Sequence, residues 1–147
     1  MQQKALSVNR FFVKPVMLEE EFEVLYEILL SPKVNVNRLY SKMKGKISKA
    51  RLLNILRKLN REGLIEVVRD PRHKQRLLLS VREDVRSIAN YILSPLSGPK
   101  GSNVLGKIEG LVGAYLEIAR RISNPEVKEF LRMLVARQVD NLLASEL

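Results

Sequence analysis

A mainly α-helical fold with one small β-hairpin, arranged as a winged helix-turn-helix head followed by C-terminal helices, is predicted by three features of this 147-residue sequence. A basic amphipathic period from Lys49 to Glu62 stops at Gly63, and two short β-rich runs around a Pro-containing turn follow it at once. Two longer apolar patterns then fill the last third of the chain. The limits that follow are an N-terminal arm over 1–16, a winged head over 17–93, a linker over 94–102 and a helical dimerisation tail over 103–147.

Taken in order, Met1 to Arg10 reads as a frayed or extended arm, and Phe11-Phe12-Val13 as a short apolar piece that packs on a partner. Met17 to Leu30 is the first helix: Glu19, Glu20 and Glu21 suit its positive N-terminal end, and Leu18, Phe22, Leu25, Ile28 and Leu29 form its buried stripe. Ser31-Pro32 ends it. Asn35 or Asn37 caps a short second helix through Met43 with Leu39 turned inward, and Lys44-Gly45-Lys46 makes the turn. Ser48 caps the third helix, whose inward face is Leu52, Ile55, Leu56 and Leu59. Its outward face is expected to carry Lys49, Ala50, Leu53, Asn54, Arg57 and Lys58.

Beyond Gly63, the run Leu64 to Arg69 and the run Gln75 to Ser80 are β-rich, and Asp70-Pro71-Arg72-His73 between them carries turn chemistry. They form the wing. Ser80 with Glu83 matches a capping box that opens a helix through about Leu93. Ser94 to Ser102 holds two Pro, two Gly and three Ser, a linker composition. In the tail, Val104, Ile108, Leu111, Tyr115, Ile118 and Ile122 alternate four and three apart as in a coiled-coil seam. Asn124-Pro125 starts a last helix made apolar over more than one face by residues including Phe130, Leu134 and Leu142. So much apolar surface beside a small head predicts a homodimer joined through these residues. Gly106, Gly110 and Gly113 each cost about 1 kcal/mol of helix propensity relative to Ala. Either another helix approaches them closely or the helix is loosely formed.

Charge narrows the function. From Arg38 to Arg82 there are fourteen Lys or Arg against three acids, Glu62, Glu66 and Asp70, while the other 12 basic and 13 acidic residues almost cancel. The net charge of +10 is therefore one patch, coincident with the helix-turn-helix and wing. Such a patch attracts a polyanion through counterion release; a merely solvated basic face is the bland alternative. The candidate DNA contacts are Lys44, Lys46, Ser48, Lys49, Ala50, Arg51, Leu53, Asn54, Arg57 and Lys58, with Arg69, Arg72, His73, Lys74 and Arg76 in the wing. Asn54 suits adenine and Arg suits guanine in the major groove. Leu53 suits a thymine methyl or, equally, the core. Replacing Arg57 and Lys58 together by Ala is expected to weaken DNA binding and spare the dimer.

Enzyme chemistry has little support. The single His, His73, has Arg72 and Lys74 beside it, and with no cysteine there is no disulfide and no thiolate metal site. No cofactor or metal is expected. Ser41-x-x-Lys44 formally matches a nucleophile motif but lacks its companions. No apolar run approaches the roughly 18 residues of a membrane span, and no signal peptide is expected. The reading is a cytoplasmic protein.

The segment Leu59-Asn60-Arg61-Glu62-Gly63-Leu64-Ile65, with Asp70-Pro71-Arg72 and Leu77-Leu78-Leu79-Ser80, resembles the recognition-helix end and wing of MarR-type regulators over about Glu20 to Ile92. The resemblance implies a dimer on pseudo-palindromic double-stranded DNA, with Ala50, Arg51, Leu53, Asn54, Arg57 and Lys58 in the major groove and Arg72 at the minor groove. The wing departs from the pattern at His73, where the family usually has an acidic residue, and at Gln75, where it often has Arg. Sixteen residues before Met17 leave little room for the family's long first helix, so dimerisation through the C-terminal helices is similar to PadR-type regulators. The combined expectation is a sequence-specific transcriptional regulator, a homodimeric repressor with no effector inferable. Its rivals are a sequence-tolerant architectural or plasmid-type DNA binder, a winged-helix protein-interaction module, and a basic RNA binder, the last disfavoured by few aromatics and no Trp.

Overall fold

The computed structural model describes residues 15–98 and 103–145. In chain order these form α1 (Glu19–Leu30), β1 (Val34–Asn35), α2 (Val36–Met43), α3 (Lys49–Arg61), β2 (Ile65–Arg69), β3 (Leu77–Val81), α4 (Glu83–Leu93), a 3-10 turn (Ser94–Ser97), α5 (Val104–Ala119) and α6 (Pro125–Ser145). The proposed arm up to residue 14, with Phe11-Phe12-Val13, and linker residues 99–102 lie outside the described residues.

Local chemistry fixes the ends of the helices that form the helix-turn-helix. The Asn35 side chain accepts from Arg38 N at 2.8 Å to start α2, and Ser48 Oγ accepts from Arg51 N at 3.1 Å to start α3. Between them Gly45 takes φ +87°, a left-handed conformation that lets the chain reverse in so few residues. At the far end of α3, Gly63 has φ +78°. Gly63 N bonds Asn60 O at 3.2 Å and Leu64 N bonds Leu59 O at 2.9 Å, the two reversed bonds of a Schellman motif. Its apolar seal is Leu59 against Leu64, both buried.

The chain then turns directly into the wing. β2 and β3 pair antiparallel from Ile65↔Val81 to Arg69↔Leu77, and the short β1 joins the other edge of β3, giving the order β1-β3-β2. The tip is closed by Asp70 N to Arg76 O at 2.8 Å, and the Asp70 carboxylate accepts Arg72 N at 2.9 Å. Asp at the start of such a turn supplies that bond from its own side chain.

Several expectations are corrected here. Ser80 does not cap α4: it is the β3 residue opposite Glu66, its hydroxyl accepts from Lys33 N at 3.2 Å, and Arg82 occupies the cap position without a side-chain bond. Strand pairing has claimed the residue that the capping pattern needed. Within the expected linker, residues 94–97 form the 3-10 turn, which packs on α4 and α5 with Leu96 against the core. This turn also explains Gly110, where a Cβ would stand 2.7 Å from Pro95 Cβ. The close neighbour is therefore Pro95 of the same chain, not another helix. An added Cβ at Gly106 would meet only its own cap residue, Asn103, and one at Gly113 would meet nothing within 4 Å.

Head and tail share one core. Phe22, Leu25 and Ile28 of α1, Leu52 and Leu59 of α3, and Ile92 of α4 belong to the same buried cluster as Leu111, Phe130, Leu131 and Leu134. Each such side chain contributes about 1.5–3 kcal/mol by leaving water. Leu111, Phe130 and Leu134, expected at the dimerisation surface, are instead 0% exposed within the single chain. They hold α5 and α6 to the head. Around Phe130, the Arg137 guanidinium lies 5.3 Å from the ring centres of both Phe22 and Tyr26, it pairs with Glu23, and Gln138 donates to the Tyr26 hydroxyl at 3.0 Å.

Candidate nucleic-acid interface

Three sides of α3 have different surroundings. Leu52, Ile55, Leu56 and Leu59 face the core. Diametrically opposite, at the three-and-four spacing of one helix face, stand Ala50, Asn54, Arg57 and Arg61, all exposed. Arg57 Nη1 donates to Asn54 Oδ1 at 2.8 Å, which aligns the amide and guanidinium side by side. This pair offers, on one surface, the donor and acceptor groups that read adenine and guanine edges.

The flank of α3 toward α1 behaves differently. Arg51 Nε pairs with Glu20 Oε2 at 3.0 Å, and one spacing of seven further on Lys58 Nζ pairs with Glu21 Oε2 at 2.7 Å and lies 3.7 Å from Glu62 Oε1. Lys58 was expected on the outward face. It is instead half-buried at the helix seam, with its ammonium committed to two carboxylates. Arg51 keeps more exposure but is likewise paired. Burial lifts the Glu62 carboxyl above its ordinary range; Lys58 opposes that rise, and Glu126 and Glu21 add to it.

The remaining flank faces the sheet. Leu53 is partly buried and, with Val36, Leu56, Val67, Leu77 and Leu79, lines an apolar groove of about 300 Å³ edged by Arg57 and Asn60. A second groove of about 500 Å³ runs from Leu53 and the start of α2 to His73, Gln75, Arg76 and Leu77. Leu53 thus packs on the sheet side and still reaches open surface.

Around this helix, Lys44, Lys46 and Lys49 are exposed at the turn and the first turn of α3, whereas the Ser48 hydroxyl is occupied as a cap. In the wing Arg69, Arg72, His73, Lys74 and Arg76 are all exposed. Arg69 Nη1 reaches across the hairpin to Lys74 O at 2.8 Å, so its head is held rather than free. The exposed cations of the head that were not among the residues expected to meet DNA include Arg61 on the outward face and Arg38 in the first turn of α2. The signal for Arg61 lay in its spacing, four residues after Arg57 and seven after Asn54.

On the tail, Val104, Ile108, Tyr115, Ile118, Ile122 and Leu142 are partly buried within the chain. The apolar surface of α5 that remains open is a stripe formed by Leu105 (63% exposed), Val112 and Leu116 (56%). Among the described residues there is no group of three or more His, Cys, Asp or Glu that could hold a metal, and no helix is long and apolar enough to cross a membrane.

A two-helix unit joined by a tight turn, followed by a hairpin whose third strand precedes the unit, defines a winged helix-turn-helix. No protein-family model matches the chain, and no curated protein matches its sequence. Solved structures similar to it include MarR, with 20% identity, 87% of this chain and 80% of that chain covered, and a TM-score of 0.45. The transcriptional regulator PA4135 shows 13% identity, covers 93% and 92%, and gives a TM-score of 0.45. FabT of Streptococcus pneumoniae, in complex with DNA, shows 17% identity, covers 72% and 78%, and gives a TM-score of 0.44. At such identities the likeness is one of fold, and the assignment above rests on the chain's own element order.

Proposed function

We propose that this chain is a sequence-specific, double-stranded DNA-binding transcriptional regulator that acts in the cytoplasm as a homodimeric repressor. The observation that carries the reading is the outward face of α3, where Asn54 and Arg57 stand together with Ala50 and Arg61 and no carboxylate shares the face. A face of this composition enters the major groove, while Arg72, His73, Lys74 and Arg76 of the wing lie along the phosphates or the minor groove. Lys44, Lys46 and Lys49 extend the phosphate footprint at the start of the helix. A second copy is expected to cover the open stripe of Leu105, Val112 and Leu116, with Ile108, Tyr115 and Ile118 at its edge, and to space two heads about one helical turn of DNA apart.

Selection from a random duplex library at near-physiological salt, with competitor DNA, tests the reading. An enriched inverted repeat is the expected result, and its spacing measures the separation of the heads. Retention without enrichment supports the architectural alternative, which the many exposed wing cations favour because phosphate contacts carry no sequence information. Failure to retain duplex removes the DNA reading and leaves a protein or RNA partner.

A further inference from the structure

We propose that Lys58 is a positioning residue and not a DNA contact: together with Glu21, Glu62 and Asn124 it fixes the tilt at which α3 presents Asn54, Arg57 and Arg61. The inference rests on the DNA-binding reading given above and adds a device that aims the reading face.

Glu21 is the anchor. It is 3% exposed, and its two carboxylate oxygens are both used: Oε1 accepts from Leu18 N at 2.8 Å, and Oε2 binds Lys58 Nζ at 2.7 Å. The first bond locks the carboxylate to the N-terminal turn of α1, so the second ties α3 to a fixed point. From the opposite side, Asn124 Nδ2 donates to Glu62 O at 3.3 Å, at the cap of α3. The same side chain uses its Oδ1 to accept from Glu126 N at 2.9 Å and Val127 N at 3.2 Å, which caps α6. The C-terminal half of the reading helix is therefore held between α1 and α6 by polar bonds on two sides.

Charge separates this role from phosphate binding. One ammonium faces two carboxylates, so the node as a whole is not positive and a phosphate approaching Lys58 meets Glu21 and Glu62. Arg57, the preceding residue, sits about a quarter turn round the helix on the exposed side, where it donates to Asn54. Base readout demands side chains held to within about 0.5 Å, so a small rotation of α3 costs discrimination before it costs charge attraction.

The test measures duplex binding against salt concentration for the wild type, Lys58→Met and Lys58→Arg, using the duplex enriched from the random library and the unselected library as probes. For Lys58→Met the expected result is a loss of about tenfold in affinity for the enriched duplex, little change for the unselected one, and an unchanged salt slope. Lys58→Arg, which can still pair with Glu21, is expected to recover the discrimination. A slope smaller by about 0.9 with equal losses on both probes would mean that Lys58 neutralises a phosphate, and would overturn the proposal. If Lys58→Met does not fold, the paired Glu21→Met, Lys58→Met variant removes both charges together; retained discrimination in it overturns the proposal as well. Wild-type protein that binds neither probe would instead refute the DNA reading itself, a different failure from wild-type binding with a Lys58 phosphate signature.

Discussion

Arg57 and Lys58 are adjacent cations on the same helix, and their fates differ. Arg57 stands exposed beside Asn54, whereas Lys58 is folded onto Glu21 and Glu62. The same contrast divides the whole of α3: the face carrying Ala50, Asn54, Arg57 and Arg61 is open, while the flank carrying Arg51 and Lys58 is occupied by the acidic first turn of α1. Local positive charge therefore comprises two populations, one available to an external polyanion and one consumed in holding the helix. The acids Glu20 and Glu21 complement the dipole of α1 and at the same time neutralise the cations on this flank of α3.

The contrast predicts a graded series of stability effects. The largest is expected for Lys58→Ala, which leaves the buried Glu21 carboxylate without its partner and costs about 1–3 kcal/mol, read by denaturant unfolding. A loss no greater than that of Arg57→Ala would erase the distinction between the two populations. Next comes Gly63→Ala, which forces a Cβ into the left-handed conformation that ends α3 and costs about 1–2 kcal/mol of stability. Smaller again is Arg51→Ala, whose exposed pair with Glu20 is worth about 0–1 kcal/mol and should vanish in high salt. An effect matching that of Lys58→Ala would show that the flank acts as one unit.

The smallest effect concerns pH. Because burial raises the Glu62 carboxyl, the folded state holds that proton more tightly than the unfolded state. Stability is then lost as pH rises from the ordinary carboxylate value through the raised one, and Glu62→Gln removes this loss. The Tm of Glu62→Gln is expected to exceed that of the wild type most at neutral pH, with the gap closing in acid. A gap that is constant with pH would show that Glu62 titrates normally and that its seam is wetter than the structure implies.

Much of the head was legible because its signals are local. Ser48, Asn35 and Gly63 each act within a few residues of themselves, and each holds the cap or stop that its residue type suggests. Ser80 shows the limit of such signals, since it is taken into β3 and its hydroxyl accepts from the backbone N–H of Lys33, forty-seven residues away in the turn before β1. Lys58 lies off the expected outward face for a related reason: its acid partner lies thirty-seven residues earlier, and sequence charge does not say which cations are already paired. In the tail, the apolar period was real, but a period does not reveal whose surface covers it. Leu111, Phe130 and Leu134 pack against the head of the same chain, while Leu105, Val112 and Leu116 of α5 remain open. Arg61 was within reach of the same spacing argument that selected Asn54 and Arg57.

The expected double substitution of Arg57 and Lys58 would mix the two populations, because it removes a surface cation and a seam cation together. The direct measurement is the affinity and salt slope of Arg57→Ala, Arg61→Ala on the enriched duplex, taken with its Tm. The account predicts a Tm within a degree or so of the wild type, since both side chains are exposed, together with weaker binding and a slope smaller by up to about 0.9 for each phosphate that is no longer neutralised. Unchanged affinity at an unchanged Tm would contradict it, and would show that this face of α3 does not meet DNA.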